Sequence, residues 1–277
     1  MKSVMSFPQR GNYGKSNWRG NMSGYTIMEL IKHFNPRFVV DVCEGSGTSG
    51  DVCRELGIKY RGLDLYKGND FTKDSVLQEI GSPADLVFSH PPYHDMIKYS
   101  GNVWGSPHSA DTSLCHSPDE FLEKSQVMLL NQREATKQGG IYSTLIGDQR
   151  SKSTGFRSYQ SDFIQMMPKD ELISVTIKLQ HNCLSDNRKY NGNFIPILHE
   201  YLLVWKKAEK SMFQVVWDSA VETKKQLAAT WRSAIRIALM RLGGQAKLSD
   251  IYFEVERMAG HLIANNSNYK AKIRQSL

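Results

Sequence analysis

At 277 residues the chain has room for one large α/β domain plus a small one, and an apolar fraction of 40% with 10% aromatics excludes wholesale disorder. A formal charge of +7 favours a polyanionic partner, nucleic acid before acidic membrane. Cys43, Cys53, Cys115 and Cys183 form no Cys-x-x-Cys pair, no stretch approaches the ~20 apolar residues of a membrane span, and the first residues lack a signal peptide's apolar core, so a cytoplasmic protein with reduced thiols is expected.

Residues up to about Ser23, rich in Gly, Asn and Arg, read as a loop. Tyr25 to Phe34 is a helix with Ile27, Leu30, Ile31 and Phe34 on one face and Ser23 as its cap, stopped by Asn35-Pro36. Arg37 to Val42 is a buried strand that runs into Cys43-Glu44-Gly45-Ser46-Gly47-Thr48-Ser49-Gly50, and Asp51 to Leu56 is the next helix. Tyr60 to Leu65 is a second strand with Asp64 near its end. Strand, glycine loop, helix and a strand with a terminal acid make the nucleotide-binding βαβ pattern. Asp74 to Ile80 is a helix, and Asp85 to Ser89 a third, parallel-type strand.

That strand leads into His90-Pro91-Pro92-Tyr93, whose two prolines hold the backbone extended and remove two N–H donors. Asn102 to Pro118 is a polar loop, and Asp119 to Gln138 a helix stopped by Gly139-Gly140. Ile141 to Ile146 is a strand, Gly147 to Tyr159 a basic loop, and Ser161 to Met167 a short helix. Ser174 to Leu179 and Glu200 to Trp205 are strands separated by the polar loop His181 to Asn193. This alternation implies a mostly parallel sheet covered on both faces. The composition changes after the charged break Lys206 to Ser211. Val221 to Leu242 is a long amphipathic helix ended by Gly243-Gly244, Ser249 caps a second, and Asn265 to Leu277 gives a third, basic one. Two domains are expected, residues 1–208 and 212–277.

A Gly-x-Gly after a strand lets the backbone approach a ligand, and N–H groups at the helix start favour polar or anionic atoms. No Gly-Lys-Ser/Thr follows, which excludes a nucleoside-triphosphate P-loop. Asp64 stands at the distance of about 20 residues that ribose recognition asks for. The spacings of His94, His108, Cys115, His116, His181 and Cys183 do not make the paired ligand sets of a zinc site, so no metal is expected. Arg150, Lys152, Arg157, Arg188 and Lys189, in two loops near one end of the sheet, suit phosphate contact, as do Lys270, Lys272 and Arg274 of the tail. The tail reads either as a helix-turn-helix DNA-binding unit or as a helical module for homodimerisation.

In this order the motifs resemble those of the S-adenosylmethionine-dependent DNA methyltransferases that modify exocyclic amines of adenine or cytosine. Their Asp-x-Phe-x-Gly-x-Gly is met by Asp41-Val42-Cys43-Glu44-Gly45-Ser46-Gly47, with Cys43 in the aromatic place. Their Asp/Asn/Ser-Pro-Pro-aromatic is met at three of four positions by His90-Pro91-Pro92-Tyr93. The resemblance covers about Asn17 to Lys206. It implies a Rossmann-like α/β methyltransferase sheet with a small helical C-terminal domain, and S-adenosylmethionine held by Asp41, Cys43, Gly45, Ser46, Gly47 and Asp64. Asp70 and Phe71 would lie against its adenine, and Trp18 and Ser23 at its methionine end.

The same resemblance assigns catalysis to the first motif side chain and the Pro91 carbonyl, which grip the two N–H bonds of the target amine, while Tyr93 stacks on a base flipped out of duplex DNA. A neutral imidazole accepts one hydrogen bond and an imidazolium none, so His90 can stand in for the carboxylate with activity lost through a histidine pKa of ~6.5. Asp95 is the rival for that role. N6 of adenine is favoured over N4 of cytosine, in a prokaryotic or phage restriction-modification setting. RNA methylation, protein-amide methylation and a catalytically silent nucleic-acid-binding protein stay open.

Overall fold

The computed structural model describes residues 1–151, 155–181, 195–210, 215, 231–232, 234–235, 237–239, 241–258, 260–264 and 266–277. Lys152, Cys183, Arg188, Lys189 and most of the helix expected over 221–242 lie outside the described residues. The chain divides into two units, Met1–Met212 and Phe213–Leu277.

The first unit carries strands β1 (Val4–Ser6), β2 (Phe38–Asp41), β3 (Lys59–Gly62), β4 (Ala84–Ser89), β5 (Thr136–Ile146), β6 (Gln149–Ser151), β7 (Gly155–Arg157), β8 (Leu172–Leu179) and β9 (His199–Lys206). Helices α1 (Gly24–Phe34), α2 (Thr48–Glu55), α3 (Val76–Ile80), α4 (Pro118–Ala135) and α5 (Tyr159–Met166) alternate with them. Among the described residues the main sheet has seven strands in the order β1-β8-β9-β5-β4-β2-β3, a Rossmann-like α/β arrangement. The neighbours β5, β4, β2 and β3 are all parallel, so the loops after β2, β3 and β4 emerge on one side of the sheet.

Central strands covered on both faces need apolar residues at consecutive positions. In β2 and β4, Val40 and Val87 point to one layer with Phe121, Met128, Leu129 and Phe163 of α4 and α5. Val39, Leu86 and Phe88 point to the other, with Ile27, Leu30 and Ile31 of α1 and Val52 of α2. No helix among the described residues is long and apolar enough to cross a membrane.

The sheet is mostly parallel, as the alternation implies, with β9 alone antiparallel to its neighbours β5 and β8 among the described strands of this sheet. Three expectations need correction. The N-terminal segment is not all loop: β1 pairs parallel with β8, and Met5 is buried. Helix α4 ends at Ala135 rather than at the glycine pair, since Thr136 already pairs with Ala84, and Gly139, at φ +70°, sits within β5. The basic loop after residue 147 contains the hairpin β6–β7.

The second unit is described by α6 (Leu248–Met258), α7 (Gly260–Ala264) and α8 (Tyr269–Ser276), around a core of Trp231, Ile235, Ala238, Ile251, Val255 and Ile273. Ser249 is the second residue of α6, not its cap.

Candidate functional site

The loops after β2, β3 and β4 enclose, with the N-terminal segment and residues 99–112, a cavity that is partly open to solvent. Its floor is the glycine loop. Asp41 ends β2 and is buried; its Oδ1 accepts from the Cys43 N–H at 2.9 Å and its Oδ2 from Ser49 Oγ at 2.5 Å. Burial pushes its carboxyl up to about 7 despite those two donors. Asp41 therefore organises the turn, and both of its oxygens have partners inside the protein.

Gly45 has φ +53° and Gly47 φ +90°, both in the left-handed region that a side chain resists. A Cβ on Gly45 would also stand 3.1 Å from the Trp18 indole nitrogen. Gly45 donates its N–H to Asp64 Oδ2 at 2.8 Å, and the Tyr66 N–H reaches Oδ1 at 3.2 Å. Burial raises the Asp64 carboxyl to about 6, against those two N–H groups, which lower it. The turn between β2 and α2 is thus tied to the residue just beyond β3. Lys67 pairs with Glu44, whose carboxylate lies where a Cβ on Gly62 would be.

His90 and Pro92 also line the cavity, with the His90 backbone hydrogen-bonded to the Cys43 side chain. His90 Nε2 is 2.9 Å from the Tyr93 hydroxyl, which donates to Glu200 Oε1 at 3.0 Å. Glu200 also accepts from Lys178 at 2.7 Å and from Gln180 at 2.9 Å. Burial alone would raise the Glu200 carboxyl, but the Lys178 ammonium and His90 hold it at about 2. Burial lowers His90 to about 4, with Lys178 acting in the same direction and Glu200 against it. The imidazole is neutral at ordinary pH, and the acid limb expected near 6.5 moves down.

Of the residues singled out in the sequence, Trp18, Asp41, Cys43, Gly45, Ser46, Asp64, Phe71, His90 and Pro92 line this one cavity. Five others do not. Ser23 is buried as the α1 cap, accepting from Tyr25 N and donating to the Arg10 carbonyl. Asp70 closes a local turn onto Thr72. Gly47 caps α2, and Pro91 is buried beside the wall. Tyr93 is also buried, with its ring so close to Gly147 that a Cβ there would come within 2.6 Å, and its hydroxyl is committed to Glu200, so its face is not offered to a base. The rival Asp95 is exposed and accepts from Gln149 at 2.6 Å; it does not line the cavity.

Tyr99, Trp104, Asp111 and Thr112 also line the cavity, from a loop without periodicity. Asp111 holds that loop by accepting from Ser100 N and Oγ at 2.7 and 2.6 Å and from Ser113 N at 2.8 Å. An Asp followed two residues later by Ser was the one sequence signal for this turn. Thr112 Oγ1 is buried and has no hydrogen-bond partner among the described residues.

The Gln149–Asp95 bond ties the start of hairpin β6–β7 to the loop after Tyr93, and Arg150 and Arg157 stand exposed on that hairpin. In the second unit Lys270, Lys272 and Arg274 are exposed on α8, with Lys270 near the Tyr252 and Tyr269 rings and Arg274 donating to Tyr252.

No protein-family model matches this chain, and no curated protein does. Solved structures do. The chain is similar to a SAM-dependent methyltransferase from Archaeoglobus fulgidus at 14% identity, over 66% of this chain and 92% of that one, with a TM-score of 0.41. It is similar to human N-acetylserotonin methyltransferase in complex with SAM at 10% identity, over 67% and 51%, with a TM-score of 0.37. A candidate DNA modification methylase from Thermus thermophilus, complexed with S-adenosyl-L-methionine, matches at 18% identity over 52% and 55%, with a TM-score of 0.33. At these identities the likeness concerns the fold alone.

Proposed function

We propose that the chain is a methyltransferase that binds S-adenosylmethionine on the glycine loop and methylates an exocyclic base amine of DNA, N6 of adenine. The observation that carries this reading is that His90 and Pro92, from the loop after β4, share one cavity with Gly45 and Asp64. The residues suit the cofactor. Gly45 keeps a cradle clear that a Cβ would fill, Asp64 offers a carboxylate to ribose hydroxyls, and the buried Thr112 hydroxyl awaits a partner. When bound, S-adenosylmethionine supplies an electrophilic methyl on a sulfonium.

An exocyclic amine is a poor nucleophile because its lone pair is delocalised into the ring. The unprotonated nitrogen of His90, which lines the cavity, accepts from one of its N–H bonds and helps turn the lone pair out of the ring plane, so that positioning carries most of the rate; the Pro91 carbonyl, the second acceptor in the resemblance, is not among the groups that line the cavity. As the nitrogen gains the methyl it becomes cationic and acidic, and its proton passes by His90 to solvent. With a pKa near 4 the imidazole accepts a hydrogen bond but does not store that proton. Stacking falls to Tyr99 or Trp104, which line the cavity, rather than to Tyr93. Arg150 and Arg157 contact phosphates.

Tritium transfer from labelled S-adenosylmethionine into duplex DNA, RNA or protein, followed by hydrolysis to bases, tests the reading. Label in N6-methyladenine is expected. Label in protein alone, or in nothing, overturns it.

A further inference from the structure

We propose that Glu200, through the Tyr93 hydroxyl, fixes His90 as the Nε2–H tautomer and so leaves Nδ1 as the one acceptor the imidazole offers. The inference rests on the methyltransferase reading for its purpose, though not for its geometry. Proton accounting along the relay carries it. Lys178 and Glu200 are partners in the β8–β9 register and both are buried. Lys178 donates to one carboxylate oxygen, and Gln180 and Tyr93 donate to the other. An ionised carboxylate has no proton to give. The single phenolic proton of Tyr93 therefore points at Glu200, and toward His90 Nε2, 2.9 Å away, the Tyr93 oxygen can only accept. The opposite tautomer would set two lone pairs against each other, either at His90 and Tyr93 or at Tyr93 and Glu200.

The relay is also held in place. The Tyr93 ring lies against Gly147, at the end of β5, so closely that only glycine leaves room for it. Its far end is rooted in two paired strands of the sheet. Glu200 and Tyr93 are positioning residues: they act on the substrate only through the imidazole. A carboxylate in the first motif position accepts whatever its orientation. A histidine accepts through one nitrogen only, and the departure from the family's motif brings a need for such a device.

The test is two-bond ¹H–¹⁵N correlation on protein labelled at histidine, with the His90 signals assigned by their loss in His90→Gln. Wild type should show a protonated Nε2 and a bare Nδ1. In Glu200→Gln the amide oxygen turns to Lys178 and the amide nitrogen donates to Tyr93. The phenolic proton then swings to His90, and the tautomer changes to Nδ1–H. The kcat of that variant should fall about 10²-fold or more with the cofactor KM unchanged, as when an amide replaces the carboxylate orienting a catalytic imidazole. Tyr93→Phe keeps the ring against Gly147 and should abolish the tautomer preference; it decides the matter if Glu200→Gln does not fold. A wild-type Nδ1–H signal, or a variant spectrum unchanged from wild type, overturns the relay. A correct tautomer without methyl transfer to DNA, RNA or protein overturns the methyltransferase reading and leaves the relay standing.

Discussion

His90 and Asp64 face one cavity but titrate in different places, and this separates their effects on rate. With saturating cofactor, kcat should stay level down to about pH 5 and fall only toward pH 4, where the imidazole takes up a proton and stops accepting. The cofactor KM should rise below about pH 6, as Asp64 becomes a neutral acid and a weaker partner for ribose hydroxyls. A kcat that halves near the ordinary histidine value of 6.5 removes His90 from the acceptor role. The depressed His90 also acts on stability. Between 6.5 and about 4 the unfolded chain binds a proton that the folded chain refuses, so acid weakens the fold across that window. That Gly45, Asp64 and His90 would meet at one cavity was legible from motif spacing. The groups gathered behind His90 were not: Lys178, Gln180 and Glu200 come from β8, the residue after it and β9, more than 80 residues further on, through pairing that no local pattern records.

At the scale of elements, the β2–α2 turn depends on glycine geometry. Gly45→Ala should lower stability by about 1–2 kcal/mol, the cost of a side chain in left-handed backbone, as read by urea denaturation. It should also displace Trp18 and weaken cofactor binding in calorimetry. The end of α4 rests on a buried pair. Arg133 is bidentate on Glu171 at 2.8 and 2.6 Å, and Tyr142 and the Ala208 N–H complete the carboxylate's partners. Burial would raise Glu171, yet Arg133 and Tyr142 hold it below the usual carboxylate range. Glu171→Ala takes away the guanidinium's carboxylate partner, leaves it the Lys210 and Ala208 carbonyls at 3.2 and 3.5 Å, and should cost about 3 kcal/mol of unfolding free energy. Retention of full stability would show that those carbonyls suffice. Helices with an apolar face and strands with continuous apolar runs were readable in the sequence, because burial imposes their pattern. Three-residue β1 is too short to carry a period, and the reversal of β9 leaves no trace in composition, since both directions bury the same residues.

For the whole molecule, a net charge of +7 and the exposed Arg150 and Arg157 predict salt-sensitive association with duplex DNA. Each phosphate contact contributes about 0.9 to the log–log salt slope, so Arg150→Ala with Arg157→Ala should flatten it by about 2. An unchanged slope in fluorescence anisotropy would place the contacts elsewhere.

The reversed strand also sets the order in which the chain can be completed during synthesis. Val4 of β1 pairs with Ile177, and among the described strands β8 is joined to β5 through β9, which ends at Lys206. Strand β1 must therefore wait for nearly all of the first unit before it has an edge to join. The segment it leads into contributes Trp18, Gly20 and Asn21 to the cavity wall. A nascent chain arrested short of residue 199 would expose the glycine turn while lacking its neighbouring cover, and acquisition of ligand affinity should coincide with emergence of the last strand rather than of the motifs themselves.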